Sequence, residues 1–141
     1  MAIYGIGAHY GKTKDVSGEF IKKNLVGVGY TVSEAPELYQ FIAALKVGDI
    51  IYIKSFAPSS KFIFVRAIGF IKDGEILNSK LSRDVVETGR NVVWKVVWEV
   101  TNKLRIPKPK ERNNVRLNTL YQEFNPQVQA EILKKLAEHG H

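Results

Sequence analysis

The chain of 141 residues is long enough for one domain with its own core and too short for two, so we expect residues 1–141 to form a single domain. Its 45% hydrophobic and 25% charged residues are typical of a globular protein and exclude a disordered or fibrous chain. The lack of cysteine excludes disulfides and thiolate metal sites, and the net charge of +7 favours a negatively charged partner.

The first third of the chain alternates predicted strands and helices. "AIYGIG" predicts a strand, "DVSGEFIKKN" a short helix with Phe20 and Ile21 inward, and "LVGVGYTV" a second strand. Residues 33–46 predict a helix capped by Ser33, with Pro36 in its first turn. Its inward positions follow the spacing i, i+3, i+4 and i+7 and are Leu38, Phe41, Ile42 and Leu45.

The middle of the chain predicts an antiparallel hairpin. "IIYIKSF" and "FIFVRAIGFIK" are rich in β-branched and aromatic residues, and only the polar turn "APSSK" joins them. The turn residues "KDG" at 72–74 are expected to end the second strand. Residues 75–90 show neither the period of a strand nor that of a helix, so we expect an irregular connection there.

The last third predicts a strand, a basic loop and a closing helix. "NVVWKVVWEV" is a strand whose even positions, from Val92 to Val100, face inward. Pro107 and Pro109 restrict the next segment to a loop or sheet edge. Asn125 should cap the final helix, and its inward residues should be Val128, Ile132, Leu133 and Leu136. The elements together predict an α+β fold with a curled or barrel-like sheet.

The stretch "GIGAHYGKT" at 5–13 imitates a phosphate-binding loop without fitting one. An NTPase loop has four residues between its first glycine and the glycine of "GKT". Counted back from Gly11, that first position is Ile6, which is not a glycine. A dinucleotide fingerprint also fails, since no strand–helix–strand unit with a terminal acid follows. We therefore interpret the stretch as a strand and its exit loop.

Residues suited to catalysis are few. The chain has no cysteine nucleophile, no serine in a glycine-flanked turn and no pair of carboxylates on one strand or helix face. His9 is the only internal histidine and is interpreted as a hydrogen-bonding loop residue, while His139 and His141 lie at the chain end. We expect no enzymatic activity, no metal and no cofactor.

Aromatic rings beside glycines and a basic segment point to binding. Tyr10 and Tyr30 each lie next to glycines, where a ring can line an open pocket and stack on a planar ligand. Residues 103–116 hold six basic residues against one acid, which is typical of a polyanion-binding surface. A solvated loop kept basic for solubility would have the same pattern.

The order of short segments along the chain carries a family resemblance. "YGIG", "EFIKKNLVGVGY", "LYQFIAALKVGDIIYIKSF" and "AIGFI" are followed by "VVWEV", "IPKP", "LNTLYQEF" and "NPQVQAEIL". In this order the chain resembles the PUA-like superfamily, and within it the EVE-like domains at the N-termini of modification-dependent restriction enzymes. The resemblance implies a small, partly open, mostly antiparallel β-barrel with two to three flanking helices, which takes a flipped, modified base into an aromatic cage.

The resemblance also assigns candidate residues. Tyr4 and Tyr30 match the aromatic positions of the family's first and second strands, Lys54 and Ser55 match the end of its "GDI" strand, and Asp49 would cap a turn. With the neighbouring rings, the expected base cage consists of Tyr4, Tyr10, Tyr30, Lys54, Ser55 and Phe56. The expected phosphate contacts are Lys12, Lys108, Lys110, Arg112 and Arg116.

The sequence therefore predicts a non-catalytic domain that binds nucleic acid, DNA rather than RNA, through a modified base. The alternative is a protein that binds or sequesters a free small nucleotide or a nucleotide-derived signal. A third interpretation is a structural or protein-binding module with a vestigial pocket. No segment has the length of a membrane span and the first residues lack a secretory pattern, so we expect a cytoplasmic protein without a membrane partner.

Overall fold

The structure, a computed structural model, describes residues 2–11, 14–57, 59–110 and 115–139. Its strands are β1 Ile3–Gly7, β2 His9–Tyr10, β3 Lys14–Asp15, β4 Leu25–Val28, β5 Ile50–Ser55, β6 Phe62–Asn78, β7 Thr88–Val97, β8 Leu104–Pro107 and β9 Leu120–Gln122. Its α-helices are α1 Ser17–Lys22, α2 Pro36–Ala44 and α3 Pro126–His139, with a 3-10 turn at Val115–Leu117. The fold is α+β, as the sequence predicts.

Seven strands form one mostly antiparallel sheet in the order β4-β7-β6-β5-β1-β9, and β8 pairs with the first residues of β6. The pair β1 and β5 is parallel, with Gly7 opposite Lys54, whereas the other pairs of this sheet are antiparallel. Among the described residues the edge strands β4 and β9 are not paired with each other. The sheet is therefore not closed into a barrel, which corrects the expected barrel in this respect.

Two hydrophobic clusters lie on opposite faces of the sheet. The cluster under α1 and α2 includes Ile6, Phe20, Val26, Ile42 and Ile53. The cluster under α3 is built from strand residues and from one stripe of the helix, and it includes Tyr52, Ile68, Val128, Ile132 and Leu136. Because helices cover both faces, the strands carry almost continuous apolar runs such as "IIYI" in β5.

The long strand β6 bends between its two halves. Its register with β7 shifts between Ile68 and Gly69 and again between Ile71 and Ile76, and such bulges increase local twist. A Cβ added at Gly69 would lie 2.4 Å from the Val93 carbonyl oxygen, so only glycine allows this close approach. The bends let one strand pair with β8, β5 and β7 along its length.

The structure confirms several local predictions. The hairpin of β5 and β6 forms, and "LRIP" is a strand at the sheet edge. The Asn125 Oδ1 atom accepts hydrogen bonds from the Gln127 and Val128 amides, so Asn125 caps α3 as predicted. Asp49 also has the expected turn role, because its carboxylate accepts from the amides of Lys46 and Ala2.

Other local predictions are wrong. Helix α2 begins at Pro36 with Ala35 rather than Ser33 at its N-cap, because the residue before a proline is disfavoured in helical conformation. "KDG" does not end β6, and Glu75–Asn78 continue it beyond the bulge rather than forming an irregular connection. Leu133 is 48% exposed on the outer side of α3. Val100 is exposed because β7 ends three residues earlier.

None of the helices in the described part of the chain combines the length and the hydrophobicity that a membrane crossing requires.

Candidate functional site

The carboxyl ends of β1 and β5 define the candidate site. Because the two strands are parallel, both end at the same edge of the sheet, with Gly7 and Lys54 side by side. The Gly7 amide donates a 2.8 Å hydrogen bond to the Thr119 carbonyl, which brings the segment before β9 to the same place. Three chain segments thus converge on one end of the sheet.

A cavity of about 240 Å³ lies on the β4 side of this end, and we call it the tyrosine compartment. Backbone of Gly7, Gly11, Gly27, Val28 and Gly29 forms part of its wall. The side chains that line it are His9, Tyr10, Tyr30, Glu34 and Thr119. The absence of side chains at four glycines leaves room next to two aromatic rings, which is the environment that the sequence predicts for Tyr10 and Tyr30.

The two tyrosines differ in how firmly they are held. The Tyr10 hydroxyl donates a short hydrogen bond to the Val85 carbonyl, and burial raises the pKa of Tyr10 to about 12. A Cβ added at Gly29 would lie 3.1 Å from the Tyr10 ring, so glycine at this position allows the chain to pass the ring closely. The Tyr30 side chain is 46% exposed, and its ring is accessible to a ligand.

Glu34 is a residue of this compartment that the sequence analysis did not select. Its Oε1 atom accepts hydrogen bonds from the Thr31 amide at 2.8 Å and from the Thr31 hydroxyl at 2.9 Å. These two hydrogen bonds lower the pKa of the Glu34 carboxyl below its ordinary value, so it is a carboxylate at neutral pH. The available signal was the spacing Thr-x-x-Glu, which favours this local bond.

A second cavity of about 490 Å³ adjoins the first, and we call it the lysine compartment. The two share Gly7, His9 and Thr119 as lining residues, so they lie side by side, and we call them together the cleft. The side chains that distinguish the lysine compartment are Lys54, Ser55, Phe56, Ser60, Phe64 and Leu117. The predicted group Lys54, Ser55 and Phe56 therefore lies together in the cleft, adjacent to Tyr10 and Tyr30.

Lys54 is the buried cation of the cleft. The residue is 9% exposed, and its Nζ atom donates a 2.7 Å hydrogen bond to the Arg116 carbonyl. Nζ lies 5.7 Å from the centre of the Tyr121 ring and 3.6 Å from the position that a Cβ at Gly7 would occupy. Burial lowers the pKa of the Lys54 ammonium to about 8, because the charged form loses solvation.

Further cations lie near the lysine compartment, and we call Lys103, Arg105 and Lys108 the basic rim. Lys103 Nζ lies 3.5 Å from the Ser55 hydroxyl oxygen. The Lys108 ammonium lies 5.3 Å from the centre of the Phe56 ring, and the Arg105 guanidinium lies at the same distance from the Phe62 ring. Lys108 and Lys110 are exposed.

Two predicted site residues lie elsewhere. Tyr4 is near the opposite end of β1, where its ring packs edge-on against Phe41 at 5.7 Å, so it is not part of the cleft. Arg116 is 1% exposed, and its guanidinium donates to the Glu123 carboxylate inside the protein. Its charge is balanced there, which corrects the expectation of a surface phosphate contact. Lys12 and Arg112 lie outside the described residues.

The cleft is lined by aromatic rings, the Glu34 carboxylate and the Lys54 ammonium, and further cations lie near it. Within the described ranges, no three side chains of His, Cys, Asp or Glu are grouped so that they could hold a metal ion. A scan of the chain against protein-family models gives no match, and a search of curated proteins gives none either.

Proposed function

We propose that this protein is a non-catalytic module that binds nucleic acid by taking one base, a modified one, into the tyrosine compartment. The single observation that supports it best is that the tyrosine compartment adjoins the compartment of Lys54, where Lys103 contacts Ser55 and Lys108 lies over the Phe56 ring. In this proposal the curled sheet is an open version of the PUA-like barrel, and the sequence resemblance to EVE-like domains agrees with that assignment. A base would then contact the tyrosine rings, and its phosphate would contact Lys54 or the basic rim beside them.

The tyrosine compartment suits a base for two reasons. The half-exposed Tyr30 ring offers a face for stacking, and the firmly held Tyr10 ring limits the movement of a planar ligand. The Glu34 carboxylate can accept a hydrogen bond from an exocyclic amine, which cytosine and adenine carry and thymine does not. A base must leave its stack to reach such a cavity.

The cations suit the sugar-phosphate backbone. Exposed Lys108 and Lys110 can neutralise phosphates that run over the surface, with release of counterions. Lys54 lies deeper and can meet the phosphate nearest to the bound base. A phosphate there would favour the charged form of Lys54 and would offset part of its desolvation cost.

A second candidate function is the binding of a free small nucleotide. The observation that favours it is that Lys54 lies in the compartment adjoining Tyr10 and Tyr30, so one nucleotide would contact both the rings and a cation. The two functions differ in salt dependence, because a longer strand releases several counterions and a single nucleotide few.

A binding screen separates these functions. DNA and RNA oligonucleotides with and without methylated bases, together with free nucleotides, are titrated at about 50 and 200 mM salt. We expect tighter binding of the modified oligonucleotides and an affinity that falls steeply with salt. Free nucleotides alone, with a shallow salt dependence, would favour the second candidate.

Single substitutions test whether the base binds in the tyrosine compartment. Tyr30→Ala should weaken base binding about tenfold, by loss of a stacking face. Phe124→Ala is the matched control, because Phe124 is 70% exposed and lines a different cavity near Tyr4. A Tyr30→Ala protein that binds every ligand as the unmodified protein does would exclude the tyrosine compartment as the base site.

A further inference from the structure

The cleft continues beyond the lysine compartment. A third cavity of about 560 Å³, the basic compartment, is lined by residues 100–103 together with Ser55, Phe64 and Arg105. Ser55 and Phe64 also line the lysine compartment, so the two cavities adjoin. We call the three adjoining compartments together the groove, with Tyr30 at one end and Arg105 at the other.

Both aromatic rings and cations line this groove, with rings at the tyrosine end and more cations at the other. Tyr10 and Tyr30 lie in the first compartment, Phe56 and Phe64 in the second, and Phe64 again at the border of the third. The cations are Lys54 in the second compartment and Lys103 and Arg105 in the third. A combination of stacking faces and positive charge suits a flexible strand of nucleotides, since each of its units has a flat base and a phosphate.

Among the described residues that line the groove, the acidic one lies at the tyrosine end, away from most of the cations. Glu34 lies at the tyrosine end, where a base edge would be. The residues described as lining the second and third compartments include no aspartate or glutamate. Asp15 lies nearby, and its Oδ1 atom accepts from the Ser17 amide at the start of α1. The path past Lys54 to Arg105 is therefore positive, which suits phosphates.

We propose that the groove binds a single strand of about three nucleotides, one to each compartment, with the selected base in the tyrosine compartment. This inference rests on the proposed nucleic-acid function and names its ligand class. Bases of a duplex are stacked and paired, so the neighbours of one extruded base could not reach Phe56 or Phe64. In a single strand the neighbouring bases are already accessible.

The length of the ligand tests this inference. The ligands are 5-methyl-dCMP, a trinucleotide and a hexanucleotide with a central 5-methylcytosine, and a duplex of about twelve base pairs that carries the same base. We expect the trinucleotide to bind about tenfold more tightly than the mononucleotide, and the hexanucleotide to add little. The duplex should bind at least about tenfold more weakly than the hexanucleotide because of unstacking.

Variants of the third compartment provide a second readout. Arg105→Ala should weaken trinucleotide binding about fivefold and leave mononucleotide binding unaffected, whereas Phe64→Ala, at the border with the lysine compartment, should weaken the trinucleotide more than the mononucleotide. Arg105 is exposed, so its variant should fold even if Phe64→Ala does not. Lys134→Ala, on the exposed side of α3, is the control and should change neither.

The results distinguish binding of a single strand along the groove from binding of a base in the tyrosine compartment. Equal affinity for mononucleotide and trinucleotide, or tighter binding of the duplex, would overturn the single-strand groove and leave base binding intact. Failure of all four ligands, and of their adenine counterparts with N6-methyladenine, to bind would count against the proposed function itself.

Discussion

The Lys54 ammonium donates a 2.7 Å hydrogen bond to the main-chain carbonyl of Arg116, whose own guanidinium is held by Glu123. The floor of the cleft is thereby attached to a buried polar network in which Tyr52 donates to Glu123 and shares a hydrogen bond with Tyr121. The position of the cleft cation thus depends on groups that no ligand touches.

Lys54→Met should alter the pH dependence of stability. Burial lowers the pKa of Lys54 in the folded protein to about 8, below the ordinary lysine value of 10.5, so the unfolded chain binds more protons between these values. Stability should therefore rise with pH in this window, by about 1–2 kcal/mol from about pH 7.5 to about pH 9.5. In Lys54→Met the rise should be absent.

Urea unfolding at the two pH values measures this effect. Lys134→Met, which replaces an exposed lysine, should keep the rise. An unchanged pH profile in Lys54→Met would show that another group causes the rise in stability.

Affinity for phosphate-containing ligands should fall in the unmodified protein as the pH passes about 8, because neutral Lys54 no longer attracts a phosphate.

Tyr10→Phe should separate the ring of Tyr10 from its hydroxyl. Loss of the hydrogen bond to the Val85 carbonyl should lower the free energy of unfolding by about 1 kcal/mol at neutral pH, while stacking on a base remains. The pKa of Tyr10 is raised to about 12, so its contribution to stability is complete below pH 10 and is lost as the pH rises toward 12.

Chemical denaturation of Tyr10→Phe between about pH 9 and about pH 12 checks the sign. The difference from the unmodified protein should shrink as the pH rises, because the unmodified protein loses its advantage there. Tyr30→Phe, which removes a hydroxyl from a half-exposed side chain, should cost less than about 0.5 kcal/mol at neutral pH.

Glu34→Gln should change the base preference of the tyrosine compartment. The Glu34 carboxylate accepts from exocyclic amines, so we expect the unmodified protein to prefer cytosine or adenine nucleotides over thymine by about fivefold or more. Glutamine can still accept from Thr31 but also presents a donor, so the preference should decrease. Competition binding with the three bases measures the ratio.

Glu37→Gln is the matched control for that experiment, because Glu37 is exposed in the first turn of α2 and does not line the compartment. Its base preference should equal that of the unmodified protein. An unaltered preference in Glu34→Gln would mean that the base edge points elsewhere.

Glu123→Gln should destabilise the fold strongly. It removes the charge that balances the buried Arg116 guanidinium, and the loss of one partner of a buried ion pair costs about 3–5 kcal/mol. Glu138→Gln breaks the exposed pair with Lys135 and should cost less than about 1 kcal/mol. Thermal and urea unfolding compare the two variants.

The double variant Arg116→Met and Glu123→Leu adds a further check, because it removes both charges at once. It should be more stable than Glu123→Gln, since no uncompensated charge remains in the interior. A double variant as unstable as the single one would show that the pair matters through packing and not through charge.

Much of the fold could be predicted because it depends on neighbours in the sequence. The β-branched run "IIYIKSF" forms β5, Ile42 lies buried where the helical spacing places it, and Asn125 caps α3. Each of these depends on backbone groups within one turn or on alternation along one strand. The pairing of Tyr10 with Tyr30 in one compartment also agrees with the glycines beside them.

Local signals failed where a distant group competed with them. The turn residues "KDG" are accommodated in a bulge of β6, because the ladder with β7 resumes at Ile76. Arg116 and Lys108 belong to the same basic run, but Arg116 lies inside the protein because Glu123 is there to balance it. Charge alone predicts neither outcome.

The sequence by itself determined the α+β class, the β5–β6 hairpin, the Asn125 cap of α3 and the chemistry of the residues available for binding. Only the tertiary structure decided which of them meet. Parallel pairing of β1 and β5 brings Gly7 beside Lys54, while Tyr4, three residues before Gly7 on the same strand, lies near the opposite end and packs on Phe41. A strand rises about 3.3 Å per residue, so a few positions suffice to separate one end of a sheet from the other.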